Sequence, residues 1–441
     1  ILSTYGDPLS PIQNTRISYH PDGSSTTTDA RDHAVDHSFD ATHGIARFDT
    51  VSGPCGACGN RDRSVTYDAR GNRDRVTDFR GVVTDYDYTA DNLVQKETYA
   101  VGTPQQYSVI YEWDAKLREP LRILRGNRET RYSYNIRGQV LVRTETDTDS
   151  SESRTWTYSY YENPEVAALT GKLRSIDGPR TDVSDVTRFE YHTGQHPAGH
   201  YRPGDAKAVV NALGHRTELL KYDGDGRLLE FSDANGVLTS IAYHPRGWRS
   251  TVTTADRTTS YLHDPAGNLL RVTPPDGSHL DYEYDRYHRL TAIEDSAGNR
   301  IEYTLDDAGN RVAEHTFDAG GMLRKQLGRV FDPLGRLSLL IDGNQEETRY
   351  AYDDSGNTVE IEDASQKITG FEYDALNRLM VLSAADQSTT HRNYDDDENL
   401  TSFTDPLGNS TGYGYDGLGN RIRVDSPDSG AATCDFDEAG A

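Results

Sequence analysis

Through the second half of the chain, apolar or aromatic residues alternate with polar ones in short runs. Ile301, Tyr303 and Leu305 fall on one side of an extended strand and Glu302 and Thr304 on the other. Leu280, Tyr282 and Tyr284 alternate with Asp281 and Glu283, and Thr348, Tyr350 and Tyr352 with Arg349 and Ala351. Period two predicts β-strands with one apolar-aromatic face and one polar face. A looser second set contains Val359 and Ile361, Leu379 and Val381, and Ile422 and Val424. Turn recipes separate the runs. In Asp332-Pro333-Leu334-Gly335 the aspartate bonds its own backbone two residues on, proline presets φ, and glycine accepts the left-handed conformation. That is a type I turn closed by a glycine, a common hairpin connection. It recurs at residues 68–71, 135–138, 223–226, 264–267, 306–309, 353–356 and 416–419. A second set, ten residues further on, opens at Asp78, Asp233, Asp295 and Asp405. Asp342 and Asp363 belong to it, with Gln345 and Gln366 where glycine would stand. The chain therefore reverses every ten or eleven residues, leaving strands of about six.

The reversals keep time. Asp332, Asp353, Asp374, Asp395, Asp416 and Asp437 are 21 residues apart, each preceded by Phe or Tyr. Upstream, Asp223, His244, Asp264, Asp285 and Asp306 follow at steps of 21, 20, 21 and 21, before one step of 26 around Phe317 to Lys325. A fixed period of this length marks a stack of one supersecondary unit. Each repeat reads as a β-hairpin, with about twenty strands from Asp223 to Asp437. Such a sheet is roughly 95 Å wide, and with a single apolar face to hide it is expected to curl into a hollow-walled ribbon. A parallel β-helix with a 21-residue coil is the rival; two reversing turns per repeat favour the antiparallel form. Three regions follow: an irregular segment 1–60, less regular repeats 61–210 and a regular array 211–441 that stops mid-repeat. In the middle region the equivalents of the repeated aspartate are Thr89, Asp114, Asn135, Glu162 and His192. Its polar stretches 144–153 and 192–205 read as solvated loops.

Composition sharpens this picture. Only 34% of residues are apolar, and 28 tyrosines outnumber 10 phenylalanines. A tyrosine buries its ring but needs a partner or water for its hydroxyl, so the lining suits a thin wall rather than a thick core. A net charge of −25 repels phosphates and argues against nucleic-acid partners or anionic membranes. No apolar run reaches the length of a membrane span, so direct membrane insertion by this segment is not expected. The chain opens Ile1-Leu2-Ser3 and reads as an internal piece of a longer protein.

Tyr284-Asp285, Tyr373-Asp374-Ala375-Leu376-Asn377-Arg378-Leu379 and Tyr222-Asp223-Gly224-Asp225-Gly226-Arg227-Leu228 resemble the YD-repeat or Rhs-repeat family. Cys55-Gly56-Ala57-Cys58-Gly59 ahead of Tyr67-Asp68-Ala69-Arg70-Gly71-Asn72 is similar to bacterial members. The family includes bacterial Rhs polymorphic toxins, wall-associated proteins, Tc toxin shell components and teneurins, and the resemblance covers residues 55–441. It implies an all-β fold, a long antiparallel sheet of hairpin repeats spiralling into a curved, hollow shell segment. It also implies a non-enzymatic wall that, in toxin members, encloses a cytotoxic C-terminal domain, and a secreted or cell-surface location. In surface members it implies a scaffold for adhesion through carbohydrate or a protein partner. The closing segment with its self-cleavage motif, the variable toxin domain and the secretion-spike domain of a complete Rhs toxin are not recognisable here.

Candidate chemistry is sparse. Cys55 and Cys58 suggest half a zinc site or a redox pair, but Cys434 is the one other cysteine, so a loop staple or disulfide is the simpler reading. His192, His196 and His200 have the spacing of one helix face, which Gly194, Pro197 and Gly199 break. His33 and His37 could share such a face but lack a third ligand. Asp395-Asp396-Asp397-Glu398-Asn399 invites calcium, yet its register makes it an ordinary repeat turn, and Asp223-Gly224-Asp225 also lacks a calcium-loop pattern. No nucleophile elbow, phosphate loop or dinucleotide fingerprint occurs. No catalytic, cofactor-binding or metal-ligating residue stands out in the sequence, and no cofactor is expected.

Overall fold

The computed structural model describes residues 2–5, 15–42, 44–53, 62–162 and 165–440. These form 38 β-strands and one 3-10 turn, Ala167–Leu169, with no α-helix among the described residues. Strands consecutive in sequence pair antiparallel, as Leu228–Ser232 does with Leu238–Tyr243 and Thr358–Glu362 with Ile368–Tyr373. Twenty strands run from Leu228–Ser232 to Gly430–Thr433, the number the turn spacing predicts. The parallel coil is thereby rejected.

The chain divides into two compact units. Unit 1 comprises Ile1–Trp113, Ile123–Asn127 and Ile301–Cys434; unit 2 comprises Asp114–Arg122, Arg128–Arg300 and Asp435–Ala441.

Unit 1 holds two arms of hairpin ladder. The first arm runs from Leu2–Tyr5 to Tyr107–Trp113, the second from Arg311–Phe317 to Gly430–Thr433. In the second arm the two edges differ. At each Tyr-Asp turn the register shifts by one residue: Glu372 faces Val381, but Tyr373 faces Leu379. The same bulge recurs at Tyr352, Tyr394 and Tyr415. At the opposite edge Ser383 faces Thr389 and Thr404 faces Ser410 without a shift. Bulges bend and twist a strand, so from Asp332 onward they deform this ladder along the Tyr-Asp edge, while the opposite edge carries a bulge at Phe317.

The ladder is one layer thick. Val35 and Val51, packed by Phe48 and Phe79, form the buried cluster of unit 1. In the second arm every residue of Leu337–Ile341 and Leu379–Ser383 is only half-buried. Tyr350 and Tyr352 are more covered than Arg349 and Ala351, as the alternation predicts. Among the described residues of the irregularly spaced segment 1–60, Thr15–Tyr19, Ser25–Thr28, Ala34–Asp40 and Arg47–Val51 pair antiparallel in sequence order. Their hairpins lack the Tyr-Asp beat, which is why spacing alone missed them. The 26-residue step contains an ordinary hairpin with long strands, Arg311–Phe317 and Leu323–Phe331.

Unit 2 is a continuous ladder from Arg128–Tyr134 to Leu290–Asp295. Its bulges fall at Tyr134, Tyr160, Tyr191, Tyr222, Tyr243, His263 and Tyr284. This moves one equivalence: the repeated aspartate corresponds to Tyr161, not Glu162, since the Tyr161 N–H takes the turn's bond to Lys172 O at 3.0 Å. In the stretch 144–153 only residues 148–152 form an exposed loop; the rest is sheet. Val140–Asp147 and Ser153–Tyr160 are paired strands, and Glu145 and Asp147 are buried. Glu145 lies opposite Arg154, accepts its Nε–H at 2.9 Å and also pairs with Arg143. Both guanidinium groups cover the Trp156 ring. Cross-strand charge matching turns a polar stretch into packed structure. Residues 192–205 are a loop, as expected.

Candidate functional site

The recurring chemistry of this protein is its Tyr-Asp joint, and Tyr373-Asp374 shows its parts. The Tyr373 hydroxyl donates to Thr358 O, 3.0 Å away in the preceding repeat. Asp374 Oδ1 accepts the N–H groups of Leu376 and Arg378, both at 2.9 Å. Its Oδ2 takes Arg378 Nε–H at 2.7 Å. Arg378 then donates through Nη1 to Asp395 O at 2.6 Å, in the next repeat, and covers the Tyr394 ring. One arginine thus ties its own turn to the one that follows.

The joint repeats with small changes. Tyr352 and Tyr394 donate to Leu337 O and Leu379 O, fifteen residues back. In unit 2, Tyr243 and Tyr284 reach Leu228 O and Leu269 O in the same way. This explains tyrosine over phenylalanine: the half-buried hydroxyl has a main-chain partner. Burial pushes the Tyr222 phenol up to about 12, so it stays a neutral donor at physiological pH. Where the fourth residue after the aspartate is asparagine, its amide replaces the guanidinium: Asn357 Nδ2–H meets Asp353 Oδ2 at 2.8 Å and Asn377 Oδ1 at 2.7 Å. Asparagine side chains hold the carboxyls of Asp264, Asp295 and Asp405 below the usual range. The carboxylates are engaged by their own turns. Glycine closes most turns, as Gly335 does at φ 81°, while Gln345 and Gln366 take the same conformation at 66° and 61°.

A different set of contacts joins the two arms of unit 1. Arg31 donates from Nη2 to Pro333 O at 2.6 Å and from Nη1 to Asp332 O. Arg80 Nη2–H reaches Ala375 O at 3.1 Å. Arg125 meets Glu398 at 2.8 Å and Asp397 at 3.6 Å. Three arginines of the first part thus seat on three turns of the second arm, some 300 residues on. Asp374, beside Arg80's acceptor, is 5% exposed. Gly126 leaves the room this needs: a Cβ there would stand 2.9 Å from Asp397 Oδ2.

Unit 2 contains an open depression of about 450 Å³, lined in part by Thr157, Ser159, Tyr161, Asp177, Arg188 and Glu190. Arg174 covers Tyr161, and Ser159 and Ser175 share a 2.7 Å bond across the strands. Glu190 is bound by Arg216 through two bonds of 2.8 and 2.9 Å.

The residues singled out in the sequence take these places. Cys55 and Cys58 lie outside the described residues, and Cys434 is exposed. His192, His196 and His200 are on no helix. His192 stacks on Tyr201 at 3.5 Å, and His196 on His200 at 4.3 Å. His33 and His37 do not share a helix face either, since His37 lies in the strand Ala34–Asp40 and His33 in the turn before it. Asp395 bonds its own turn, and Asp397 and Glu398 pair with Arg125. Asp223 and Asp225 bind Arg227 at 2.6 and 2.9 Å. Among the described residues, no three His, Cys, Asp or Glu side chains converge as a metal site. No helix among them is long and apolar enough to cross a membrane. Sequence reasoning missed the fourth residue after each aspartate, although the Asp-x-x-x-Arg or Asn spacing stood in plain view. It also missed the three arginines, which carried no such mark.

The RHS Repeat family matches residues 222–259, 263–300, 284–321, 352–389 and 394–431. No curated protein matches the sequence. Among solved structures, the crystal structure of TcdB2-TccC3-Cdc42 superposes with a TM-score of 0.54 and 15% identity, over 98% of this chain and 27% of that one. The crystal structure of TcdB2-TccC3 matches 97% of this chain and 23% of its own, at 15% identity and a TM-score of 0.47. The chain thus spans about a quarter of the solved chains that it matches. At this identity the first likeness is one of fold, an antiparallel ladder of hairpin repeats.

Proposed function

Because this chain belongs, through five matched segments, to the RHS-repeat family, we propose that it is a non-enzymatic stretch of shell wall that encloses a cargo. The cargo class is a cytotoxic C-terminal domain or another protein, carried for secretion and delivery. The observation that supports this most directly is the use to which the chain puts its polar groups. Tyrosine hydroxyls, aspartate carboxylates and arginine guanidinium groups are spent on fastening one hairpin to the next, as in the chain of bonds from Thr358 through Asp374 to Asp395. Such an arrangement builds wall. Electron microscopy of the purified full-length parent tests the reading: a hollow body with density inside it is expected, and a solid globule or extended rod would overturn it. Cell fractionation tests the accompanying secreted or surface location.

The depression of unit 2 supports a second reading, an adhesin whose repeats hold carbohydrate or a protein partner. Its hydroxyls, Tyr161 ring and charged side chains are of the kind that sugars meet. A glycan array and a cell-binding assay without signal would remove it.

A further inference from the structure

Most turns of the ladder rest on a carboxylate or amide oxygen, but unit 2 uses imidazole nitrogen in the same role. In the turn at His244, the Arg246 N–H donates to His244 Nδ1 at 3.2 Å, where the repeat otherwise offers aspartate Oδ1. In the 192–205 loop, the Ala198 N–H donates to His196 Nδ1 at 3.1 Å. At His288, Asn268 Nδ2–H meets Nδ1 at 2.7 Å, in the place that Asn377 Oδ1 takes beside Asn357. Asn268 also donates to Asp264 Oδ2, which fixes its amide orientation. A backbone N–H cannot accept, so each of these rings must present a bare Nδ1 and carry its proton on Nε2. A carboxylate keeps its lone pairs down to about pH 4, whereas an imidazole in water takes up a proton around pH 6.5. Protonation would turn Nδ1 from acceptor into donor, facing another N–H.

We propose that His196, His244 and His288 make unit 2 an acid-sensitive section of the ladder, whose imidazole-held turns loosen at mildly acid pH while its carboxylate-held turns stay closed. The surroundings add to the effect. The His196 ring stacks on His200 and meets Tyr201 edge-on, so two cations would lie face to face. Arg202 and Asp205 belong to the same loop, and Lys221 and Glu230 come from the strands behind it. Burial, with help from His196 and Lys221 and against Glu230, lowers the proton affinity of His200. The unfolded chain then binds that proton first, so stability is full above the unfolded value and falls as pH drops through it. His244 stacks on Trp248, which also meets His263 and the Arg246 guanidinium. Arg227 approaches Gly247 of the same turn. His288 sits in the turn of Asp285, with Arg286, Tyr287 and Arg289 beside it.

The test is hydrogen–deuterium exchange on the 441-residue chain at pH 7.5 and 5.5, corrected for intrinsic rates. Peptides over 192–205 and 243–248 are expected to lose protection by about fivefold or more, the loss of one net hydrogen bond. Peptides over 223–228, 233–238 and 295–300, read at the amides held by Asp223, Asp233 and Asp295, serve as carboxylate controls within the same unit. His244→Asp restores the carboxylate of the other repeats. It should abolish the response at 243–248 and leave that at 192–205. A uniform response, no response, or a persistent one in His244→Asp overturns the proposal. So does a ring ¹⁵N spectrum at pH 7.5 showing protonated Nδ1 at His196, His244 and His288, a readout that needs no variant.

Discussion

The second arm of unit 1 and the ladder of unit 2 are made of the same hairpin, yet they hold together differently. In the arm the period never slips after Asp332, and the joints at Asp353 and Asp374 share one short vocabulary: tyrosine to carbonyl, aspartate to its own turn, and arginine or asparagine to the next turn. In unit 2 the spacing stretches, and non-repeating groups take over part of the work. Glu145 sits between two arginines over a tryptophan, and histidines stand in for aspartates. A strict beat distributes stability evenly over identical joints. Where the beat is lost, cohesion concentrates in a few side chains.

Mutation can break that contrast. The largest effect is expected in unit 2: Glu145→Ala strands two part-buried guanidinium groups and should cost about 3 kcal/mol, measured by urea unfolding. In the arm, Asp374→Ala removes three accepted bonds at one joint and should cost about 2 kcal/mol. An equal or greater loss there would contradict the idea of evenly shared cohesion. Smaller still, Tyr373→Phe and Tyr243→Phe each delete one hydroxyl bond and should cost about 1 kcal/mol. Since the two joints are built alike, the two values should agree between units. The smallest change is a gain: Gln366→Gly, at φ 61°, should stabilise by under about 1 kcal/mol.

Acid sharpens the same comparison. Asparagine bonds lower the carboxyls of Asp264, Asp295 and Asp405. Their contribution is therefore present above the unfolded value near 4 and is lost as pH falls through the lowered folded values. Urea midpoints followed from pH 5 to pH 2 should fall with acid, and a flat profile would contradict the bonds described.

Much of this was legible beforehand. Asp332 to Asp416 announced the beat, the alternation in Thr348 to Tyr352 announced the tyrosine-bearing face, and turn chemistry predicted the positive φ of Gly335. Those signals are local, set by neighbours within a few residues. Arg31, Arg80 and Arg125 were not legible, because a turn arginine looks solvent-exposed until a carbonyl some 300 residues away is placed against it. Glu145 was misread for a related reason: a run of threonines and acids resembles a loop unless the opposing Arg154 is counted with it. The shifted equivalence at Tyr161 reflects an insertion that hides the turn from simple counting.

The hydroxyl that reaches back fifteen residues, from Tyr394 to Leu379 and from Tyr284 to Leu269, has a genetic consequence. The modules of Tyr352, Tyr373 and Tyr394 each carry their own connector and find their socket in the module before. Duplicating or deleting one 21-residue module between Asp332 and Asp416 would leave each surviving junction chemically intact, so lineages can lengthen or shorten such a ribbon without inventing a new interface.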